Sequence, residues 1–204
     1  NMNILKEILN QNKIIETDRL KIYPFKIIDK VFFDLFEIYK DEENVLNYSS
    51  RFDDLKDFGV YMYLKISEHQ DEKNGIISYV IERKIDSKII GVRNFILDGK
   101  YTFNGTEFIN NNNLITEIII NKKYWQNGYA EEATLGLFNF LKNYQIKNIL
   151  SFVKLDNIKA KRLDEKLDFK ETSFEELISN YNFHPDCQIH TDTSKKNYFY
   201  LKKI

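Results

Sequence analysis

The chain has 204 residues, with 30 basic against 31 acidic side chains and a net charge of -1. That length supports one large domain with its own core and no disulfide or metal staple, and the charge balance gives no support to nucleic acid or an anionic membrane as the main partner. A single cysteine, Cys187, excludes an internal disulfide and makes a reducing compartment the expectation.

In chain order, Ile4, Leu5, Ile8 and Leu9 recur at helical spacing and predict a short amphipathic helix over 3–11. Arg19 to Tyr23 alternates polar and apolar side chains, a strand. Asp29 reads as the cap of a helix carrying Phe32, Phe33, Leu35, Phe36 and Tyr39, rings that read as core rather than a substrate cage. Asp53 or Asp54 caps a second helix carrying Leu55, Phe58, Met62 and Ile66. Strands follow near 76–83 and 88–97, then two turn pairs, Asp98-Gly99 and Asn104-Gly105. Residues 114–120 form a β-branched strand. A helix over 129–143 places Ala130, Ala133, Leu137, Phe138 and Leu141 on one face. A strand over 148–153, a helix over 158–167 and a strand over 197–202 complete a mixed α/β sheet domain. No apolar run reaches the length of a membrane span, and Met2-Asn3-Ile4-Leu5-Lys6 does not resemble a signal peptide, so the expected location is cytoplasmic.

Only 7 glycines punctuate the chain, and Gly128 stands where a strand and short loop pass into a helix. A helix N-terminus offers N–H groups and a partial positive charge to an anion. A glycine there lets the backbone approach a ligand closely. The plain alternative is a strand-to-helix turn that binds nothing.

The surrounding residues carry more. Tyr124-Trp125-Gln126-Asn127-Gly128-Tyr129-Ala130-Glu131-Glu132-Ala133 resembles the acetyl-CoA pyrophosphate loop of the GNAT N-acetyltransferases, in the form found in the ribosomal-protein N-terminal acetyltransferase branch. Ile15-Glu16-Thr17-Asp18-Arg19-Leu20 resembles the opening strand of that branch. The segment from Asp156 and Asn157 through Ala160, Arg162, Leu163, Glu165, Lys166, Leu167 and Phe169 resembles its later helix. The three matches stand in the family's order and frame residues 14–170.

The resemblance implies the GNAT fold, a mixed, mostly antiparallel central sheet flanked by helices, as a single domain over 1–204. Residues 1–13 would be a helical extension and 171–196 an extended C-terminal segment. It implies acetyl-CoA as co-substrate. The backbone of Ile118, Ile119 and Ile120 would pair with the pantetheine arm, and the N–H groups of Gln126, Asn127, Gly128, Tyr129, Ala130 and Glu131 would cradle the diphosphate. Asn157 would lie beside the CoA arm or simply cap its helix. Lys161 and Arg162 would meet CoA phosphates or stand in water. The acceptor would be a primary amine, either a protein N-terminus or a small molecule. The branch includes dimers, so a homodimer is open. A rival reading is a CoA-binding regulatory module without catalysis.

Acetyl transfer from a thioester needs a neutral amine, donors for the developing oxyanion and a proton for the leaving thiolate. Glu117, the acid of the 114–120 strand, is the candidate general base, although strand alternation alone does not decide whether it faces the reaction or solvent. Where many family members place a tyrosine acid, this chain has Asp164, and the general acid stays unassigned. Tyr124 and Tyr129 read as packing residues. Asp168 replaces a family glycine that follows a helix end in the left-handed conformation, which Asp tolerates. His184, Cys187 and His190 recur every third residue, but without a second cluster they read as part of an irregular surface loop, and no metal is expected.

Overall fold

The computed structural model describes residues 7–8, 11–26, 28–46, 51–70, 76–97, 100–103, 106–109, 113–181 and 197–204. Of the expected N-terminal helix, Glu7 and Ile8 are described, and both are helical. The pairs Asp98-Gly99 and Asn104-Gly105, and the His184, Cys187 and His190 triplet, lie outside the described residues. The chain forms two compact units, Asn1–Asn94 with Ile118–Phe140 and Phe95–Glu117 with Leu141–Ile204.

In the first unit, β1 (Ile15–Glu16) pairs antiparallel with β2 (Leu20–Pro24), which pairs antiparallel with β3 (Ile76–Arg83) from Leu20↔Arg83 to Pro24↔Tyr79. The period-2 pattern of β2 sends Leu20, Ile22 and Pro24 inward and leaves Lys21 in solvent. The helices between them are α1 (Asp29–Lys40), α2 (Glu42–Val45) and α3 (Leu55–Gln70). Asp29 is the first residue of α1 rather than its cap. Ile28 holds the cap position, with no side-chain hydrogen bond, and Asp29 instead places negative charge in the first turn. Asp54 is the cap before α3, its Oδ1 accepting from the backbone N–H of Lys56 at 2.7 Å and of Asp57 at 3.1 Å.

The ring-rich faces of α1 and α3 meet as expected. Phe58 is fully buried, with the rings of Phe32, Phe36, Tyr39 and Phe52 at centroid distances of 5.2 to 5.7 Å. Phe33 departs from this pattern and is exposed, as is Leu55 on α3. The first residues of β4 (Ile89–Leu97) and the end of β7 (Asn113–Ile120) complete this unit's strands. Helix α4 (Tyr129–Leu141) buries Ala133, Leu137 and Phe138.

In the second unit, β5 (Lys100–Phe103) and β6 (Thr106–Ile109) form an antiparallel pair. The first half of β7 runs parallel to β8 (Asn148–Lys154), and β10 (Asn197–Lys203) pairs antiparallel with β8 and with β9 (Lys170–Thr172). Helix α5 (Ile158–Lys166) ends in a Schellman motif. Asp168 has φ 61, the N–H of Phe169 donates to Asp164 O at 3.0 Å, and that of Asp168 to Glu165 O at 3.1 Å. The left-handed position expected at Asp168 is present.

The described part of 171–196 holds regular secondary structure. It contains the end of β9 and helix α6 (Phe174–Tyr181), whose Leu177 is fully buried with Ile115, Leu150, Phe199 and Leu201. Ser173 Oγ accepts from the N–H of Glu176 at 3.1 Å, capping the first turn, and Thr172 Oγ1 donates to Glu176 Oε2 at 2.8 Å. Asn113 Nδ2 donates to Tyr181 O at 2.9 Å, fixing the far end of α6 to the start of β7.

Among the described residues, no helix is long and apolar enough to cross a membrane. No group of three or more His, Cys, Asp or Glu residues among them is placed to hold a metal ion.

Candidate functional site

The loop between β7 and α4 is held at both ends within the first unit. At its start, Asn121 donates its N–H to Ile90 O at 2.8 Å, and its side chain accepts from the N–H of Lys123 at 3.1 Å, opening a 3-10 turn over Lys122–Tyr124. The Lys122 N–H donates to Asn44 Oδ1 at 2.6 Å, and its ammonium reaches Asp41 at 2.8 Å and Glu43 at 2.9 Å. Both carboxylates draw the Lys122 ammonium pKa upward. Trp125 Nε1 donates back to Ile120 O at 2.6 Å, and Asn127 Nδ2 donates to Trp125 O at 2.9 Å. The loop is therefore a compact turn closed by its own side chains.

Two of its residues are left-handed, Gln126 with φ 62 and Gly128 with φ 77. Alternation of this kind turns successive N–H groups toward one side, the concavity that binds anions. The N–H of Glu132 donates to Gly128 O at 3.0 Å, so α4 begins at Gly128, and the first-turn N–H groups have no carbonyl four residues back within the helix. Gln126, Asn127 and Gly128 are exposed, and Tyr129, Ala130 and Glu131 are half-buried. A string of backbone donors, a helix dipole and a position without Cβ thus meet on one accessible surface.

Three side chains outside the loop brace it. Arg19 donates through its backbone N–H to Glu132 Oε1 at 2.8 Å, through Nε to Glu132 Oε2 at 2.6 Å and through Nη1 to Asn127 O at 2.9 Å. Thr17 Oγ1 donates to Glu132 Oε1 at 2.5 Å. Arg19 also lies over the Tyr129 ring, 4.4 Å from its centroid, and Arg83 lies over Tyr124 at 4.5 Å while pairing with Asp86. Tyr124 and Tyr129 pack, as expected, but as platforms for two guanidinium groups. For Glu132, burial raises the carboxyl pKa. The hydrogen bonds from Thr17, the Arg19 N–H and the Arg19 guanidinium, with the Arg19 charge, outweigh burial and hold it below the usual carboxylate range.

Sequence reasoning found the loop and missed the brace, although both halves were in view. Thr17 and Arg19 belong to the first motif and Glu132 to the second. Nothing in the sequence says that segments 113 positions apart are bonded to each other. The contact depends on Gly136, where an added Cβ would stand 2.8 Å from Thr17 Cγ2, so only a glycine lets α4 lie this close to the β1–β2 connection.

The other predicted residues divide between the units. Ile118, Ile119 and Ile120 precede the loop in the first unit, with Ile119 and Ile120 buried and Ile118 half-buried. Glu117 belongs to the second unit and is half-buried. The parallel register of β7 with β8 runs from Asn113↔Asn148 to Thr116↔Ser151, while β7 continues to Ile120 and β8 to Lys154. Asn157 is the cap of α5, its Oδ1 accepting from the Ala160 N–H at 3.1 Å. Lys161 is half-buried, with its ammonium 4.0 Å from Glu165, and Arg162 is exposed. Asp164, at the position of the family tyrosine, is buried.

Residues 19–170 match the family model of the acetyltransferase (GNAT) domain. The chain belongs to the GNAT acetyltransferase family, and its fold is the GNAT α/β fold. Its structure is similar to that of a GNAT-family acetyltransferase from Bacillus anthracis, at 18% identity and a TM-score of 0.63 over 94% of this chain and 98% of that one. It is similar also to RimL, a ribosomal alpha-N-protein acetyltransferase solved with coenzyme A, at 13% identity and a TM-score of 0.65 over 94% and 98% of the two chains. A third likeness is to the microcin self-immunity acetyltransferase MccE, solved with acetyl-CoA and AMP, at 16% identity and a TM-score of 0.65 over 92% and 94%. At these identities the likenesses concern the fold. No curated protein matches the chain in sequence.

Proposed function

We propose that the chain transfers the acetyl group of acetyl-CoA to a primary amine, a protein N-terminus or a small molecule, by direct attack in a ternary complex. The observation that carries this reading is the braced loop from Gln126 to Glu131, with its two left-handed residues at the start of α4. Its donors fit a diphosphate, and the positive end of the helix favours the charge. Two of the solved GNAT relatives, RimL and MccE, were crystallised with coenzyme A and acetyl-CoA respectively, which agrees with this donor.

In the proposed reaction Glu117 takes a proton from the ammonium form of the acceptor, directly or through water. The free amine then attacks the thioester carbon, a C–N bond forms, and the C–S bond breaks. The thiolate leaves with the proton that the new amide nitrogen must lose. Backbone N–H groups of β7 serve the carbonyl oxygen as negative charge develops. Holding amine and thioester together supplies much of the rate. Asn157, Lys161 and Arg162 are assigned to the CoA arm and its phosphates.

Thiol release from acetyl-CoA across a panel of N-terminal peptides, polyamines and amino sugars tests this. At least one amine should give saturable turnover. Glu117→Gln should lower kcat about 100-fold, the scale of general-base catalysis, with the CoA Kd unchanged. Turnover unaffected by that change would remove Glu117 as base. CoA binding without turnover on any amine would instead favour a non-catalytic module.

A further inference from the structure

Resting on that reading of the loop, we propose that Arg19, in the bend just before strand β2, is a positioning residue for the donor's diphosphate and sets CoA affinity without belonging to the reacting centre. Three of its donor groups act on two loop elements at once. Nε and the backbone N–H hold the two oxygens of Glu132, in the first turn of α4, while Nη1 holds the carbonyl of Asn127, immediately before the left-handed Gly128. The guanidinium covers the ring of Tyr129, the residue between those two attachments and the first of the helix. One side chain therefore fixes the residue before Gly128, the residue after it and the helical turn that follows.

The geometry matters because a concavity of N–H groups binds an anion only if it is already formed. A loop that must be ordered on binding gives up part of the interaction to conformational entropy. Asn127 and Gly128 are exposed, so little packing holds this stretch from above. What holds it comes from below, from Arg19 and from Thr17, whose Oγ1 also accepts from the Leu20 N–H at 3.1 Å. Lys84 extends the support, its Nζ donating to Thr17 O at 2.6 Å and pairing with Glu16 at 2.9 Å.

Charge gives a second reason. Glu132 is a carboxylate in the turn where a diphosphate would bind, and unpaired it would repel that anion. Both of its oxygens are engaged by Arg19 and Thr17, and the guanidinium neutralises it at 2.6 Å. The Arg19 side chain remains 47% exposed, close enough to the surface for its field to reach an incoming phosphate. Arg19 thus orders the loop and neutralises Glu132, one of the two carboxylates in the first turn of α4.

The test separates donors by whether they carry the diphosphate. Arg19→Gln is assayed with acetyl-CoA and with S-acetylpantetheine, which has the thioester and arm but no diphosphate. Unfolding midpoints of all variants are measured alongside. The expected result is an acetyl-CoA KM raised about tenfold or more, the scale of about 1.4 kcal/mol, with kcat nearly unchanged. Turnover with S-acetylpantetheine should stay within about twofold of the parent. Arg19→Lys, which keeps the charge but not the fork, should recover only part of the affinity. Adding Glu132→Gln to Arg19→Gln should cost no more than Arg19→Gln alone, because the pair is already broken and the unneutralised carboxylate is removed. Equal losses with both donors would overturn the proposal, since a general distortion does not distinguish them. A parent chain that binds CoA and an Arg19→Gln variant that binds it equally well would overturn it while sparing the proposed function. A parent chain with no CoA affinity would overturn both.

Discussion

Gly91→Ala should lower the stability of the chain by about 3 kcal/mol, seen in urea or thermal unfolding followed by circular dichroism, a cost at the upper end of that for overpacked cores. Gly91 lies in β4, where a Cβ would stand 2.3 Å from the Ile119 carbonyl oxygen and 2.6 Å from Ile120 Cδ1. The first of these obstacles is backbone, which no rotamer change can remove. The two strands would have to separate at the end of β7, just where Asn121 bonds to Ile90 O and the loop begins. The same substitution should therefore also weaken CoA binding, by loosening the near end of the loop. A variant within 0.5 kcal/mol of the parent, by contrast with the about 3 kcal/mol expected of overpacking, would show that the strands are not held this close.

Gly128→Val should reduce CoA affinity about 100-fold or more, measured by calorimetry, with a much smaller effect on stability. Gly128 has φ 77, where an L side chain costs roughly 1–2 kcal/mol and a β-branched one is worst placed. An added Cβ would touch Arg19 Nη2 at 3.4 Å, so a branched side chain would press on the brace as well as fill the approach to the N–H groups. Gly128→Ala should be intermediate, since it carries the strain without the branches. If both variants bind CoA as tightly as the parent, the diphosphate does not sit on this loop.

Much of the fold is written in local patterns. The alternation of β2, the β-branched run of β7 and the apolar face of α4 each gave the correct element, because burial on one side selects a period that short segments show directly. The left-handed Asp168 was readable only through the resemblance, because it stands where the family has a glycine, and Asp is among the few residues that tolerate that conformation. Helix α6 was legible and overlooked. Ser173-Phe174-Glu175-Glu176 has the capping-box spacing, and its first bond forms, from the Glu176 N–H to Ser173 Oγ, while the Glu176 carboxylate accepts from the Thr172 hydroxyl instead. Taking 171–196 as one extended C-terminal segment left it unassigned.

The site divides in the same way. The loop from Tyr124 to Ala133 is marked by a glycine at a strand-to-helix junction and, more strongly, by the resemblance of the whole segment to the GNAT loop. The brace under it is not, because nothing local to Thr17 and Arg19, in the β1–β2 connection, points to a partner on α4. Gly91 and Gly136 are similar: each permits a close approach between segments distant in sequence, and a one-dimensional pattern does not contain that distance. Asn157 shows a third situation, in which the structure gives it one role as the α5 cap through Oδ1, while the assignment beside the CoA arm stays a proposal.

The most direct test of the central claim is a backbone-amide footprint of CoA, by hydrogen exchange or by amide chemical shifts during a titration. The account predicts protection or shifts concentrated at Gln126 to Glu131, with a second set at Glu117 to Ile120. Binding that leaves the amides of Gln126 to Glu131 unchanged, or that perturbs another surface instead, would contradict it.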